Sequence, residues 1–307
     1  MKLKTIYVVI LFSFVILFSY TAQQDESLVL KGPYLGQKPP GDTPELFAPG
    51  IISTGDLHSS LYFSPNGLEV YFSRLSKPEI SGIYFMKELG GKWTKPRFVI
   101  TSGDKGLTPY LSPDGKKLFC SISGSLCVLD KTPTGWSEPT KLGPVINFQK
   151  RQDGASVAES GALYFTTMFG SKDGMYRSEY ANGKYSEPKK LDIQVNGNRI
   201  LGYPVISPDE RYVIFMSWTI QTGYGMNDLY ISFRNINGKW GEPQNLGEKI
   251  NTRYSESFPF VTRDGKYLFF NSNRPSSMNH ESTEQFYGNI YWVDAQFLEK
   301  LKPKGVN

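Results

Sequence analysis

Three carboxylates are the residues of this chain that come nearest to a catalytic set. Asp56, Asp153 and Glu256 lie close to the starts of predicted strands, in three different copies of an internal repeat. Two carboxyl groups that flank a glycosidic bond can supply the acid and the base or nucleophile needed to cleave it. Proton abstraction, as in a polysaccharide lyase, is a second chemistry to consider. The residues that could support it are His58, His280, Tyr254 and Arg253.

Aromatic and charged side chains in the predicted loops form a second set, which is suited to holding a glycan, a peptide or a partner protein. Its members are Arg151, Arg199, Tyr203, Trp218, Tyr224, Asp228, Arg274, Glu281 and Tyr287. Arginines and aspartates near strand ends also commonly satisfy backbone groups, which is the structural alternative for several of them. The sequence has no GxSxG elbow and no phosphate-binding glycine motif. We therefore expect binding in preference to catalysis.

Metal, cofactor and nucleic-acid chemistry find little support in the sequence. Two histidines and two cysteines are too few to predict a zinc site, and no EF-hand loop is present. We expect no cofactor, while calcium held by carbonyl and carboxylate oxygens stays open. The formal charge is +5, and no basic stripe occurs apart from a lysine-containing C-terminal tail. Nucleic acid is therefore not an expected partner.

The two cysteines occupy facing positions in a predicted hairpin. Alignment of the repeats shows Cys120 and Cys127 replacing the aromatic residues of the second and third strands in copy two alone. A turn at Ser123–Gly124 puts the two residues directly opposite each other. In an oxidising compartment the thiols could join, although cross-strand disulfides are often strained. The alternative is two buried free thiols that fill space.

The elements that position all these residues belong to a repeat that occurs five times. Each copy contains four short runs of β-branched and aromatic residues separated by turn residues. Repeats of this length indicate stacked supersecondary units. The copies are anchored by the turns Ser64–Gly67, Ser112–Gly115, Glu159–Gly161, Ser207–Glu210 and Thr262–Gly265. The third strand is followed at a nearly constant interval by an aromatic residue, expected to pack between units: Trp93, Trp136, Tyr185 and Trp240.

Four-stranded units arranged around an axis form a β-propeller, which must close to avoid a free sheet edge. The fifth copy ends after its third strand, Asn289–Val293, and has no outer strand of its own. The segment Thr43–Ser53, ahead of the first copy, has the pattern of an outer strand. We therefore predict an all-β, five-bladed propeller of four-stranded blades, closed by the N-terminal strand completing the last blade.

The two faces of such a ring differ in the character of their loops. One face, here called the short-turn face, carries the uniform turns after the inner strands and the Asn-Gly-Lys-Trp turns. The other, the long-loop face, carries the links from second to third strands and those that lead into inner strands. These links are longest in blades four and five. Long loops on a rigid scaffold are common functional sites, so we predict recognition on the long-loop face.

The combined motifs resemble a known family of repeats. A Ser-Pro-Asp-Gly turn, a Tyr-Phe strand, an Asn-Asp-Leu-Tyr strand, a Gly-Lys-Trp turn followed by proline, and a terminal Leu-Gly-x-x-Ile-Asn are similar to the WD40-like repeats of bacterial exported propellers, the PD40 or TolB-like group. The resemblance covers about residues 43 to 300 and implies a propeller without implying a settled activity. Five-bladed propellers also resemble several glycosidase families in architecture, which keeps a carbohydrate-active enzyme, a glycoside hydrolase or polysaccharide lyase, as the alternative.

The N-terminal segment predicts export. Lys2 and Lys4 precede a long apolar run, which small and polar residues follow, as in a secretory signal peptide. We expect a periplasmic or secreted protein; a retained anchor, which would make the membrane a partner, is the alternative. The predicted divisions are a signal peptide at 1–22, a linker at 23–42, and one propeller domain at 43–303 with a closing strand at 43–53 and blades at 58–100, 106–147, 152–196, 201–251 and 255–297.

Overall fold

The chain forms a five-bladed β-propeller, as the sequence predicts. The computed structural model describes residues 30–75, 81–101, 107–193, 201–218, 223–278 and 288–304. The predicted signal peptide lies outside these residues. Five antiparallel sheets surround an axis, and four of them run in chain order from an inner strand to an outer strand. Among the described residues, no helix has the length and apolar character needed to cross a membrane.

The domain begins with a short 3-10 helix, Pro33–Gly36, and the strand β1, Glu45–Leu46. Blade one contains β2 Leu61–Phe63, β3 Glu69–Arg74, β4 Gly82–Leu89, β5 Lys92–Trp93 and β6 Arg97–Thr101. Blade two contains β7 Tyr110–Leu111, β8 Lys117–Ile122, β9 Ser125–Thr132, β10 Gly135–Trp136 and β11 Thr140–Lys141. Blade three contains β12 Arg151–Val157, β13 Leu163–Met168, β14 Gly174–Ser178, β15 Tyr180–Ala181, β16 Lys184–Tyr185 and β17 Lys189–Lys190.

Blades four and five are simpler. Blade four contains β18 Leu201–Ile206, β19 Tyr212–Ser217, β20 Asp228–Phe233 and β21 Gln244–Asn245. Blade five contains β22 Glu256–Val261, β23 Tyr267–Ser272 and β24 Asn289–Asp294, and the helix α1, Phe297–Lys300, follows it. The outer strand of blade five comes from the other end of the domain.

Closure by the N-terminal strand is confirmed. β1 pairs with β24 in antiparallel register, with Leu46 opposite Tyr291, and the Phe47 amide donates to the Ile290 carbonyl at 2.8 Å. The Phe47 side chain is fully buried, with its ring centroid 5.1 Å from that of Trp292 and 5.0 Å from that of Phe269. Aromatic burial of this extent anchors the closing strand and leaves blade five without an open edge.

The turns after the inner strands explain the repeated Ser-Pro-Asp-Gly signature. In blade two, the Ser112 hydroxyl donates to the Asp114 carboxylate at 2.6 Å, and the Lys117 amide donates to the Ser112 hydroxyl oxygen at 2.9 Å. Gly115 follows with φ of 68°, in the left-handed region that favours glycine. Each turn is therefore held by its own side chains, which keeps the short-turn face uniform.

The recurrent aromatic residues pack between blades, as predicted. Trp136 of blade two lies edge-on against Tyr71 of blade one at 5.8 Å, and Trp240 of blade four packs on a cluster that includes Tyr164 of blade three. Blade five has no such residue. In blade five the helix α1 lies where the other blades have this aromatic residue. Its residues Phe297 and Leu298 pack in the cluster that contains core residues of blade four.

Part of the segment predicted to be a linker is packed on the ring. The indole Nε1 of Trp93 donates to the Gly32 carbonyl at 2.9 Å, and Leu35 is buried. The Tyr34 ring lies 5.2 Å from Phe63 and 5.0 Å from Tyr267, at the junction of blades one and five. This junction is thus covered by chain that precedes the closing strand.

Candidate functional site

The inner strands of three successive blades each have a β-bulge at the same position. These bulges narrow the centre of the ring. Register shifts occur in β12, β18 and β22, and the residues Gly154, Tyr203 and Phe258 have φ of 61°, 54° and 49°. The Tyr203 and Phe258 rings meet edge to face at 4.4 Å. A Cβ on Gly154 would lie 2.7 Å from the Cα of Tyr203, so glycine is required there by both conformation and space.

Aromatic rings also close the axis nearer the short-turn face. The ring of Tyr62 lies 4.5 Å from Tyr110 and 4.4 Å from Phe260. Between this layer and the bulges the structure leaves a cavity of about 20 Å³. A space of that size holds about one water molecule. The two faces of the ring are therefore separate surfaces, and a ligand at one does not reach the other through the axis.

Asp153 is a buried anchor near the axis. Its carboxylate accepts hydrogen bonds from Arg151 at 2.9 Å, Thr108 at 3.0 Å and the Tyr203 hydroxyl at 3.2 Å. The Gly154 amide adds a fourth at 2.9 Å. Burial raises the pKa of Asp153, and Arg151 opposes that rise. Since Thr108 and Tyr203 belong to blades two and four, this carboxylate ties three blades together.

Glu256 is buried in a comparable network within blade five. Its carboxylate accepts from the Thr252 amide at 2.8 Å, the Ser272 hydroxyl at 2.8 Å and Arg274 at 3.1 Å. Burial raises its pKa, and Arg274 opposes the rise. The Arg274 guanidinium also lies over the Tyr291 ring at 4.9 Å and donates to the Ile250 carbonyl at 2.7 Å.

Asp56 is the most accessible of the three acids, and it too has its own arginine. Its carboxylate lies 3.1 Å from Arg74 Nε and accepts from Thr54 at 3.2 Å. The structure thus pairs each acid with a different arginine near the end of a strand in its own blade. The three carboxylates therefore belong to three separate hydrogen-bond networks, one in each of blades one, three and five.

His58 lies in the protein interior, where the sequence indicated a surface position. It is fully buried, its Nδ1 lies 3.0 Å from the Ser73 carbonyl, and its backbone amide donates to the Gly288 carbonyl of blade five. Burial lowers its pKa to about 4. The link that carries it adds a bridge between blades one and five, which turns the side chain inward. The second histidine, His280, lies outside the described residues.

The remaining candidates on the long-loop face divide into anchors and exposed groups. Asp228 is buried and accepts from the amides of Tyr224 and Gly225 at 2.8 and 3.2 Å, so it holds the loop that precedes β20. Arg253 stacks on Tyr254 at 4.9 Å, and Trp218 is partly buried. The predicted residues Arg199, Glu281 and Tyr287 lie outside the described residues.

Large apolar side chains are exposed on this face in the adjacent blades three and four. Tyr224 and Met226 are each 49% exposed, and Phe169, between β13 and β14, is 68% exposed. Phe169 also has φ of 62°, a conformation unfavourable for a residue with a Cβ. We name these three residues the apolar rim. The long loop of blade four, which carries Tyr224 and Met226, was predicted from the sequence, whereas Phe169 lies in a shorter loop of blade three that the loop lengths did not mark.

The described acids, histidine and cysteines do not assemble into a metal centre. No group of three or more such side chains is close enough to hold an ion in the described part of the chain. Cys120 and Cys127 face each other across β8 and β9, and both are buried free thiols. Burial raises the pKa of each thiol.

The short-turn face holds a feature that the sequence analysis missed. A cavity of about 600 Å³ lies at the axis, above Tyr62 and Phe260. Arg263 crosses its mouth from blade five and donates to the Glu159 carboxylate of blade three at 2.6 Å and to the Pro113 carbonyl at 3.1 Å. The other three copies have proline at the corresponding turn position. The two departures from proline therefore form one ion pair, a signal that alignment of the copies could have shown.

The comparisons with known proteins give structural likeness only. No protein-family model matches the chain, and no curated protein matches it. Similar solved structures include TolB from Acinetobacter baumannii, at 19% identity and TM-score 0.49, covering 78% of this chain and 57% of that one. A second is a xylan β-1,4-xylosidase from Bacillus halodurans C-125, at 15% identity and TM-score 0.48, covering 80% of this chain and 54% of that one. A third is a GH43 endo-arabinanase from Bacillus licheniformis, at 12% identity and TM-score 0.46, covering 83% of this chain and 96% of that one. Thus this chain spans little more than half the length of the first two proteins.

Proposed function

We propose that this protein is an exported, TolB-like binding or assembly propeller whose long-loop face holds a glycan, a peptide or a partner protein. The observation that carries the proposal is the state of the three candidate carboxylates. Each carboxylate forms an ion pair with an arginine, and Asp153 and Glu256 are also buried within hydrogen-bond networks. A catalytic acid or base must reach its substrate, whereas these groups are occupied in holding loops and strands.

The apolar rim supplies the second support. Tyr224, Met226 and Phe169 expose apolar surface on the same face of two neighbouring blades, and Asp228 fixes the loop that carries two of them. Tyrosine and methionine are enriched in the cores of protein interfaces. An aromatic side chain of this kind also stacks on sugar rings. A rigid ring that presents adaptable apolar loops fits a recognition surface.

Binding by the rim can be tested on the full mature chain with glycan and peptide arrays. The double variant Tyr224→Ala, Met226→Ala should lose binding at least tenfold, because it removes the centre of the proposed surface. The matched control is Ile236→Ala, since Ile236 is 91% exposed on the same blade but on the short-turn face. Equal loss in the control, or undiminished binding by the rim variant, would refute the proposal.

The enzymatic alternative has a separate readout. A reducing-end assay on the glycans that bind should show no product over time. Turnover that disappears in Glu256→Gln or Asp153→Asn, with the unfolding midpoint unchanged, would establish a carbohydrate-active enzyme in its place.

A further inference from the structure

The junction between blades two and three carries a tyrosine where the equivalent hairpins of blades one, two and four have a tryptophan. In blades one and two the hairpins end in a tryptophan and pair directly with the third strand, Trp93 with Glu88 and Trp136 with Lys131. In blade three the aromatic residue is Tyr185. There the hairpin β15–β16 pairs Tyr185 with Tyr180 in the equivalent way, so the residue type, and not the strand pairing, distinguishes this junction.

A cleft of about 700 Å³ lies at this junction. Its floor is apolar and includes Phe119 and Val128 of blade two, Leu142 and Ile146 beyond them, and Val157 of blade three. Tyr185 lines one wall, with its ring 4.9 Å from that of Tyr180, which is 42% exposed. Small-molecule sites commonly have volumes between about 300 and 1,000 Å³ and mostly apolar walls. The size and lining of the cleft suit a small organic ligand.

The charges around the cleft favour an anion. Lys141 of β11 and Lys184 of β16 line it, are exposed, and form no ion pair with the residues that the structure describes. Its two acids are engaged elsewhere, because Glu159 pairs with Arg263 and Asp114 accepts hydrogen bonds within its own turn. A third lysine, Lys117, is paired with Asp130. Asp114 keeps its negative charge, because its hydrogen-bond donors are neutral, but the two lysines, Lys141 and Lys184, outnumber it and leave the cleft with a net positive charge.

We propose that the cleft between blades two and three is a binding site for a small amphiphilic carboxylate, a molecule with an apolar body and one anionic group. The body lies against Phe119, Val128 and Leu142, and the anionic group interacts with Lys141 and Lys184. The site is separate from the apolar rim, because it opens beside the turns of the short-turn face. It does not depend on the function proposed for the long-loop face.

The fluorescent anion 1-anilinonaphthalene-8-sulfonate is a direct probe of this site in the full mature chain. We expect its emission to rise with saturation at one site. Decanoate should displace it, and decyltrimethylammonium, which has the same tail and the opposite charge, should not. Displacement by both compounds alike would overturn the assignment of the lysines, and the absence of saturable binding would overturn the site itself.

Two variants locate the site. Tyr185→Trp introduces the residue type found in blades one, two and four, places a larger ring in the wall of the cleft, and should weaken binding without lowering the unfolding midpoint. Lys141→Gln combined with Lys184→Gln should weaken decanoate about fivefold to thirtyfold, as expected for the loss of two partly exposed charge contacts. The control is Lys189→Gln with Lys239→Gln, which changes the net charge equally at lysines outside the cleft. Binding that is unchanged in Tyr185→Trp, or that falls equally in the lysine control, would refute the proposal.

Discussion

Replacing Glu210 with glycine should destabilise the protein even though it restores the turn found in other copies. Glu210 occupies the position of Gly67, Gly115 and Gly265, and its φ of 60° is one that a residue with a Cβ rarely adopts. The energetic cost of this backbone conformation is offset by contacts of the Glu210 side chain. These contacts connect three turns and strands. Its carboxylate accepts from the Tyr164 hydroxyl at 2.9 Å and from Arg177 at 3.0 Å.

Two further groups complete this network. The Ser160 hydroxyl and Arg234 both donate to the Glu210 carboxylate, the latter at 3.3 Å. Burial opposes ionisation of Glu210, but the hydrogen bonds from Arg177, Ser160 and Tyr164 outweigh it and hold its pKa below the usual 4.5. The carboxylate is 10% exposed and its two arginines are 22% and 34% exposed. The network is thus only partly screened by solvent.

The two contributions can be compared in free energy. Removing one partner of a fully buried ion pair costs about 3 to 5 kcal/mol, and the partial exposure of the arginines reduces that cost to about 2 to 3 kcal/mol. Relief of the left-handed backbone returns about 1 kcal/mol. We therefore expect Glu210→Gly to lower the free energy of unfolding by about 1 to 2 kcal/mol at neutral pH. Because the pKa of Glu210 is depressed on folding, this difference should shrink as the pH falls below 4.5.

Urea unfolding at pH 7 and pH 3.5 measures both quantities. Gly265→Ala is the control for the backbone cost, since Gly265 has φ of 71° and a Cβ there would meet nothing within 4 Å. It should lower the free energy of unfolding by about 1 kcal/mol at both pH values. If Glu210→Gly is as stable as the parent at pH 7, the network stabilises the fold by no more than the left-handed backbone of Glu210 costs. That result would refute the prediction.

Three other outcomes follow from the structure. Phe47→Ala should cost about 3 to 5 kcal/mol in urea unfolding, because it leaves a cavity at the ring closure, whereas Leu89→Ala, at a 55% exposed position, should cost under about 0.5 kcal/mol; similar losses would contradict the closure. Since burial lowers the pKa of His58 to about 4, the wild type should lose about 2 kcal/mol relative to His58→Asn between pH 7.5 and 4.5, and a pH-independent difference would exclude a buried neutral imidazole. Buried thiols with raised pKa values should resist alkylation, so mass spectrometry should find no adduct on the native protein and two, at Cys120 and Cys127, after unfolding without reductant; no adduct after unfolding would reveal a disulfide.

The repeats predicted a closed ring because each strand needs a neighbouring strand to pair with the backbone groups along its edge. The missing outer strand of the fifth copy and the outer-strand pattern at Thr43–Ser53 could be matched directly, and β1 pairs with β24 as expected. The role of α1 could not be found in this way. Its sequence has no counterpart among the copies, so its packing on blade four depends on shape complementarity, which alignment does not encode.

The candidate site was less predictable, since loop position fixes a residue's face but not its burial. The sequence indicated that Asp153 and Glu256 lie near the starts of strands, but it did not show that Arg151 and Arg274 would pair with them. His58 turned inward because a bridge to Gly288 fixes its backbone, and that bridge depends on a distant part of the chain. Contacts of this kind arise from tertiary structure alone.

The construction of blade five from both ends of the domain has a consequence for biosynthesis. The Ser53 hydroxyl donates to the Ile290 carbonyl across a sequence separation of 237 residues. The strand β1 must therefore wait, with Phe47 unprotected, until β24 has also been made. Long-range pairing of this type is slow, and transiently exposed strands aggregate readily. Until these two strands meet, the unpaired edge of β24 and the exposed Phe47 are the surfaces that a chaperone would have to shield.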